Sequence, residues 1–194
     1  MALIKRIAVF CGSSGRVDEI YRAAATRLGV VLATSGIELI YGGGRVGLMG
    51  LLADAALASG GRVTGIIPTH LRDREVGHGG LNELIVVDSM HDRKRAMFER
   101  ADAFVTLPGG LGTMDETLEI ITWKQLTLHD KPILLVDVAG YWAPFLELLD
   151  HFVASGFAGR ATHQLYRVVA RIEDVLPALA AAPEPQLAPE PKLV

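Results

Sequence analysis

Short apolar runs alternate along the chain with longer segments in which apolar residues recur every three or four positions. Such runs are typical of strands buried on both faces of a parallel sheet, and the segments between them are typical of helices. The runs span residues 7–10, 37–41, 62–67, 83–87, 103–107, 132–136 and, more briefly, 166–170. The predicted helices begin at Asp18 and then span residues 48–58, 90–101, 113–127, 142–152 and 172–181. This alternation predicts an α/β fold, with a doubly wound parallel sheet of six or seven strands and helices on both faces.

Small, polar and glycine-rich segments follow the predicted strands at the point where each strand ends. Parallel sheets bind ligands at the carboxyl ends of their strands, so these segments are expected to converge on one edge. They comprise Ser13, the pair Gly43 and Gly44, the irregular loop 69–82, the helix start 90–94 and the stretch 109–116. The sequence therefore predicts one composite ligand site.

The richest of these segments passes from an apolar run into a glycine turn and then into a helix. Gly109, Gly110 and Gly112 allow backbone N–H groups to approach a ligand closely, and the helix predicted from Thr113 adds its positive end. A phosphate is expected there. Glu116 lies at the edge of this positive field, which favours an ionised carboxylate beside the bound anion. The alternative is a tight strand-to-helix turn whose acidic residues only complement the helix dipole.

A second glycine-rich turn, residues 42–47, matches the letters G-x-G-x-x-G of dinucleotide-binding proteins. In that fold, an acidic residue at the end of the following strand holds the ribose. Here the strand 62–67 ends instead in Pro68, Thr69 and His70, which argues against NAD. The glycines stay available for a close backbone approach to another part of a nucleotide.

The helix predicted over residues 90–101 carries Arg93, Lys94 and Arg95 near its start. Cations oppose the helix dipole there, at a cost of roughly a few tenths of a kcal/mol, unless an anion offsets them. One interpretation is an anionic ligand at the strand ends. The other is a solvated basic face with acidic neighbours on the same helix.

Composition bounds the class of protein. The 194 residues, 50% of them hydrophobic, suit one domain over residues 1–182, followed by a Pro-rich tail at 183–194 that is expected to be disordered. A net charge of −3, without a basic stripe, argues against nucleic acid as a partner. The single cysteine, Cys11, cannot form an intramolecular disulfide, and no apolar run approaches the roughly 20 residues that span a bilayer. We therefore expect a cytoplasmic protein without a membrane partner.

Three motifs together resemble the Lonely Guy (LOG) family of cytokinin riboside 5'-monophosphate phosphoribohydrolases. They are Y-G-G-G-R-V-G-L-M-G at 41–50, M-H-D-R-K at 90–94 and P-G-G-L-G-T-M-D-E at 108–116. The last two together are far more specific than a lone glycine loop. The resemblance, which extends over most of the chain, implies a Rossmann-like fold, a homodimer and hydrolysis of the N-glycosidic bond of a purine nucleoside monophosphate. The products would be a free base and ribose 5-phosphate, and no metal or organic cofactor is implied.

The resemblance also implies roles for individual residues. Arg93 and Glu116 match the family's catalytic pair, and residues 109–113 match its phosphate loop. Lys94, Glu75 and Thr122 match positions that contact the nucleotide. The other predicted substrate-binding residues are Ser13, Gly43, Gly44 and Asp115.

Two residues depart from the family pattern and bear on base preference. Asp115 stands where many plant members have glutamate, and Leu111 stands where they have tyrosine.

Relatives have also been labelled lysine decarboxylases, but nothing in this sequence nominates a pyridoxal phosphate lysine with its acidic partner. Two other functions stay open, a general AMP or purine nucleotide nucleosidase and a non-catalytic nucleotide carrier that uses the same cradle.

Cleavage of a ribosyl–base bond passes through an oxocarbenium-like transition state. An ionised Glu116 suits three roles, namely stabilising that charge, activating water or forming a transient ribosyl ester, and the sequence does not choose among them. Arg93 is expected to bind the phosphate or the ribose hydroxyls.

Overall fold

The computed structural model describes residues 4–72 and 77–183. The strands are β1 (Arg6–Phe10), β2 (Glu38–Tyr41), β3 (Val63–Pro68), β4 (Glu83–Val87), β5 (Ala103–Thr106), β6 (Ile133–Val136) and β7 (Arg167–Val169). They form one sheet in the order β4-β3-β2-β1-β5-β6-β7, in which all neighbours are parallel. The helices are α1 (Glu19–Thr34), α2 (Gly47–Ala58), α3 (Thr69–Arg72), α4 (Met90–Arg100), α5 (Leu111–Gln125), α6 (Ala143–Ala154) and α7 (Val175–Ala180). The predicted fold class is confirmed.

Some element bounds differ from those predicted. Helix α5 begins two residues before Thr113, because the N–H of Met114 already donates to the carbonyl of Gly110 (3.0 Å). Helix α3 adds one helical turn at the start of the loop predicted over residues 69–82. The segment 73–76, which contains Glu75, and the predicted tail from residue 184 onward lie outside the described residues.

The two faces of the sheet carry different helices. Helices α1, α2 and α7 pack on one face, and α4 and α5 pack on the other. Helices α1 and α2 approach closely because Gly29 has no side chain, since a Cβ there would lie 2.4 Å from the carbonyl oxygen of Leu52. The sheet is therefore buried between two helical layers, as its continuous apolar strands require.

Helix α5 faces the sheet along a narrower stripe than its sequence indicates. Ile120 and Ile121 are buried, whereas Leu118 and Leu126 are 37% and 60% exposed. Trp123 packs edge-on against the ring of Phe98, with centroids 4.9 Å apart. The Trp123 ring is therefore part of the hydrophobic packing between α4 and α5.

The order of strands reverses at β1, which lies between β2 and β5. Chain segments leave β1 and β5 toward opposite faces of the sheet, so a crevice opens above the carboxyl ends of these two strands. Two backbone hydrogen bonds join the strand ends. The N–H of Leu107 donates to the carbonyl of Phe10 (2.9 Å), and the N–H of Gly12 donates to the carbonyl of Pro108 (3.1 Å). These bonds fix the floor of the crevice.

Candidate active site

A cleft of about 160 Å³ occupies this crevice. It is lined by Val9, Cys11, Gly12, Ser13, Gly42, Met49, Arg93, Gly110, Leu111, Gly112, Thr113 and Glu116. The predicted site residues among these are Ser13, Arg93, Gly110, Gly112, Thr113 and Glu116. Segments that follow β1, β2, β4 and β5 thus converge on one cleft.

The start of α4 places Arg93 in the cleft. The hydroxyl oxygen of Ser89 accepts a hydrogen bond from the N–H of Asp92 (3.0 Å), and the Ser89 O–H donates one to the Asp92 carboxylate (2.6 Å). The N–H of Arg93 then donates to the carbonyl of Ser89 (3.1 Å). This cap fixes the first turn of α4, and Asp92 supplies negative charge where the helix dipole favours it.

The guanidinium of Arg93 is held by backbone carbonyls from two strands. Its Nε donates to the carbonyl of Ile66 (3.1 Å), and its Nη2 donates to that of Gly42 (3.2 Å). The residue is only 6% exposed. The remaining nitrogen, Nη1, donates a weak hydrogen bond to Sδ of Met90 (3.8 Å) and faces Glu116, so the fold sets the position of the charge.

Glu116 faces this edge from the second turn of α5. Its Oε1 lies 3.5 Å from Nη1 of Arg93, and both residues are buried. The separation is that of an ion pair rather than of a short bidentate hydrogen bond. Because water is largely excluded, the attraction is screened less than it would be at the surface. The cleft thus holds a carboxylate and a guanidinium at its base, in fixed positions.

The first turn of α5 forms the other wall of the cleft. The N–H groups of Leu111, Gly112 and Thr113 precede the first intrahelical hydrogen bond, so they are oriented out of the helix end. Gly109 allows the turn to close tightly, since a Cβ there would lie 2.1 Å from the hydroxyl oxygen of Thr113. The arrangement has the geometry of an anion cradle.

The glycine turn after β2 contributes Gly42 to the cleft, rather than the predicted Gly43 and Gly44. A Cβ at Gly42 would lie 1.8 Å from Nη2 of Arg93, so only glycine leaves room for the guanidinium. Gly43 has a φ of +75° and packs its backbone against β3, and Gly44 forms an antiparallel bridge with Gly77. These two glycines support the cleft from behind and do not line it.

His78 anchors the rear of this turn. Its N–H donates to the carbonyl of Gly43 (3.1 Å), and its Nδ1 accepts from the N–H of Gly80 (3.2 Å). Nε2 therefore carries the ring proton and donates to the carboxylate of Asp54 on α2 (2.8 Å). The buried ring thus ties the glycine turn to α2.

Besides Gly42, four residues that the sequence did not predict line the cleft, namely Cys11, Gly12, Met49 and Val9. The first two directly follow β1, so the rule that ligands bind at strand ends could have found them. Burial and the negative charge of Glu116 raise the pKa of the Cys11 thiol, and the opposing effect of Arg93 is smaller. Cys11 therefore stays a neutral thiol at physiological pH and is a poor nucleophile.

Three predicted ligand contacts among the described residues, Lys94, Asp115 and Thr122, do not line the cleft. Nζ of Lys94 lies 3.1 Å from Asp115 and 3.0 Å from Glu119, on the outer side of α4 and α5. Burial lowers the pKa of Lys94, but the hydrogen bonds to these two carboxylates outweigh it and raise the pKa overall. Thr122 is exposed further along α5. Ligand contacts of Lys94, Asp115 and Thr122 stay predictions, as does that of Glu75, which lies outside the described residues.

Within residues 4–72 and 77–183, no three His, Cys, Asp or Glu side chains lie close enough together to hold a metal ion. In the same part of the chain, no helix combines the length and the hydrophobicity that crossing a membrane requires.

Solved structures share this fold at low sequence identity. The molybdenum cofactor carrier protein of Chlamydomonas reinhardtii superposes with a TM-score of 0.70 at 21% identity, covering 91% of this chain and 96% of that protein. The molybdenum cofactor binding protein of Rippkaea orientalis superposes with a TM-score of 0.69 at 18% identity, covering 93% of this chain and 98% of that one. At this identity the likeness concerns the fold alone.

Sequence comparison is more specific. A family model described as "Possible lysine decarboxylase" matches residues 49–179. A probable cytokinin riboside 5'-monophosphate phosphoribohydrolase of Oryza sativa subsp. japonica is 49% identical over 152 residues, which cover 78% of this chain and 68% of the relative. A cytokinin riboside 5'-monophosphate phosphoribohydrolase of Arabidopsis thaliana is 42% identical over 180 residues, covering 89% and 84% respectively. Together with the motifs that form the cleft, these matches show that the chain belongs to the Lonely Guy (LOG) family.

Proposed function

We propose that this chain is a cytoplasmic, homodimeric hydrolase of cytokinin riboside 5'-monophosphates, which are N6-substituted forms of AMP. It cleaves the N-glycosidic bond and releases the free base and ribose 5-phosphate. The observation that carries the proposal is the pairing of Arg93 with Glu116 beside the first turn of α5, because this cleft combines an anion cradle with a buried carboxylate. The curated relatives carry this activity in their names.

The 5'-phosphate binds at the first turn of α5. The backbone N–H groups from Leu111 to Thr113 and the positive end of the helix stabilise its charge. Gly110 and Gly112 add no side chain to this wall, so the phosphate oxygens reach the backbone there. The bound phosphate then fixes the distance between the ribose and the carboxylate one turn further along the helix.

The ribose ring lies against Glu116. As the bond to the base breaks, positive charge develops on the sugar, and the carboxylate stabilises that charge more in the transition state than in the ground state. The same carboxylate is placed to orient the water that attacks the anomeric carbon. The proton of that water is finally transferred to the departing base, so that the products are a neutral base and a hydroxyl-bearing sugar.

Arg93 acts mainly by positioning Glu116. Two of its nitrogen atoms are occupied by the carbonyls of Ile66 and Gly42, so direct binding of the phosphate by the whole guanidinium would break both bonds. Nη1 remains oriented toward the cleft for a ribose hydroxyl. A fixed carboxylate needs little rearrangement when the transition state forms.

The matching protein family takes its description from lysine decarboxylation, a reaction that uses a pyridoxal phosphate lysine. Among residues 4–72 and 77–183, no lysine lines the cleft. Lys94 is bound by two carboxylates. Burial lowers the pKa of Lys131 to about 8, but its Nζ donates to the carbonyl of Phe98 at the opposite edge of the sheet. These residues do not fit a Schiff base beside the anion cradle.

Incubation with AMP and with N6-isopentenyl-AMP tests the proposed function. We expect release of free base and ribose 5-phosphate from both, with a higher kcat/KM for the substituted nucleotide, measured by chromatography of the base and an enzymatic assay of the sugar. Equal kcat/KM values would favour a general nucleotide nucleosidase. Binding of both nucleotides without any product would contradict the proposal and favour a carrier.

The homodimer is proposed from the outer face of α5. Leu118 and Leu126 are exposed there, on a helix whose other side packs on the sheet. Met97 and Phe98 on α4 are buried within the chain, so they do not contribute to this surface.

We expect light scattering coupled to size exclusion to give twice the mass of one chain. Leu118→Glu combined with Leu126→Glu should give the mass of one chain, because two charges then oppose burial of the face. Phe152→Glu, on the exposed side of α6, is the matched control and should leave the mass unchanged. A wild-type protein with the mass of a single chain at micromolar concentration would contradict the proposal.

A further inference from the structure

Two buried threonines connect the end of β5 with the start of α5. Oγ1 of Thr106, the last residue of β5, lies 3.1 Å from Oγ1 of Thr117. The hydroxyl of Thr117 donates to the carbonyl of Thr113, one helical turn earlier (2.6 Å). Because a hydroxyl has a single proton to donate, the O–H of Thr106 is the donor to Thr117. A directed chain of two hydrogen bonds therefore runs from the sheet into α5. We refer to Thr106 and Thr117 as the threonine pair.

The threonine pair lies in an otherwise apolar layer. Both residues have an exposed fraction of 0%. The other residues of β5 are apolar, and so are Ile120 and Ile121, with which α5 packs on the sheet. Replacing two hydrogen-bonded groups by apolar groups of the same shape is often nearly neutral for stability. The hydroxyls of the threonine pair are therefore not needed for packing alone.

The hydrogen bonds of the threonine pair end on the part of α5 that forms the cleft. Thr117 directly follows Glu116, whose Oε1 lies 3.5 Å from Nη1 of Arg93. Thr113, whose carbonyl accepts the second hydrogen bond, lines the cleft beside the anion cradle. One chain of hydrogen bonds thus reaches the helical turn that binds the anion and the turn that carries the carboxylate.

The orientation of α5 needs directional contacts. Hydrophobic burial is non-directional, whereas a hydrogen bond weakens steeply as its angle changes. A rotation of α5 about its axis would move Glu116 relative to Arg93, whose guanidinium is held by two backbone carbonyls. The bridge from Lys94 to Asp115 and Glu119 joins α5 to α4 on the outer side, but it does not reach the sheet. The threonine pair joins α5 to β5 directly.

We propose that the threonine pair positions Glu116 for catalysis by fixing the rotation of the first two turns of α5 against β5. This inference rests on the proposed function and adds two positioning residues to it. Neither threonine lines the cleft, so both act through Glu116 and the anion cradle. A small rotation is sufficient to matter, because a misplacement of about 1 Å can lower a rate by about 10²-fold.

The test separates positioning from stability. Thr106→Val combined with Thr117→Val keeps the shape of both side chains and removes both hydroxyls. We expect its free energy of unfolding in urea to stay close to that of the wild type, whereas kcat for N6-isopentenyl-AMP falls about tenfold. Thr117→Ser keeps the hydroxyl and loses a buried methyl group, so it should be less stable but retain most of kcat. A purely structural role would instead lower kcat and stability together.

Thr34→Val is the matched control. Thr34 also donates to the carbonyl four residues earlier, that of Val30 (2.8 Å), but it is exposed at the end of α1. Its kcat should equal that of the wild type. Wild-type kcat in a folded double valine variant would overturn this inference and leave the proposed function standing. If the double variant does not fold, Thr106→Val alone decides the matter, because it removes the hydrogen bond between strand and helix.

Amide hydrogen exchange tests the same inference without turnover. Peptides that cover residues 111–117 should exchange faster in the double valine variant than in the wild type, because the start of α5 is no longer bonded to β5. Unchanged exchange in this segment would overturn the inference. No hydrolysis of either nucleotide by the wild type would refute the proposed function, and with it the catalytic role of the threonine pair, whatever the exchange rates.

Discussion

Glu116→Gln is expected to lower kcat for hydrolysis of AMP and of N6-isopentenyl-AMP by about 10³-fold, with a small change in KM. The amide keeps the size of the side chain and its place beside Nη1 of Arg93, 3.5 Å away in the wild type. It loses the negative charge that opposes the developing charge on the ribose, and it cannot accept a proton from water. The anion cradle is untouched, so binding of the phosphate persists.

Steady-state kinetics, with circular dichroism to verify folding, measure this effect. Glu147→Gln, on the exposed side of α6, removes the same charge far from the cleft and should retain wild-type kinetics. A folded Glu116→Gln protein with wild-type kcat would exclude Glu116 from the chemistry. A covalent ribosyl ester trapped on the wild-type protein by rapid acid quenching would identify the carboxylate as a nucleophile.

Arg93→Ala is the second change with a large expected effect, and it should reduce both activity and stability. The alanine removes the guanidinium that faces Glu116 and also two hydrogen bonds to the carbonyls of Ile66 and Gly42. Breaking a buried charge pair by removing one partner typically costs about 3–5 kcal/mol. We expect the free energy of unfolding, measured by urea denaturation, to fall by this order and kcat to fall at least about 10²-fold.

Arg95→Ala is the matched control on the same helix. Arg95 is exposed and pairs with Glu99 one turn away (3.4 Å), an interaction worth about 0.5 kcal/mol or less.

Gly42→Ala is a second way to displace the Arg93 guanidinium, because its methyl group would take the place of Nη2. Wild-type activity in folded Arg93→Ala and Gly42→Ala proteins would show that the guanidinium does not position Glu116.

Much of the fold follows from the sequence because each strand is a continuous apolar run and the connections have helical period. The same logic brought Ser13, Arg93 and the 109–116 stretch to one edge, since parallel strands place their carboxyl ends together. The sequence does not distinguish the roles of the glycines in the turn after β2. Three successive glycines look alike in sequence, and only the position of Arg93 distinguishes Gly42, which needs the space, from Gly43 and Gly44.

The sequence motif does not show which side of a helix each of its residues occupies. Lys94 directly follows Arg93 but lies on another side of α4, where Asp115 and Glu119 bind it. Consecutive residues on a helix are separated by about 100°, so neighbours in a motif need not share a site. The predicted start of α5 at Thr113 is two residues too late. Leu111 and Gly112 follow glycines that favour a turn, but both adopt helical conformation in the structure.

Although Arg93 belongs to α4, its guanidinium is bonded to a carbonyl within β3 and to one that directly follows β2. Three parts of the chain that are distant in sequence therefore fix the position of one charge. The cleft is complete only after α4 has docked on both strands, so its geometry depends on tertiary packing and not on any single motif.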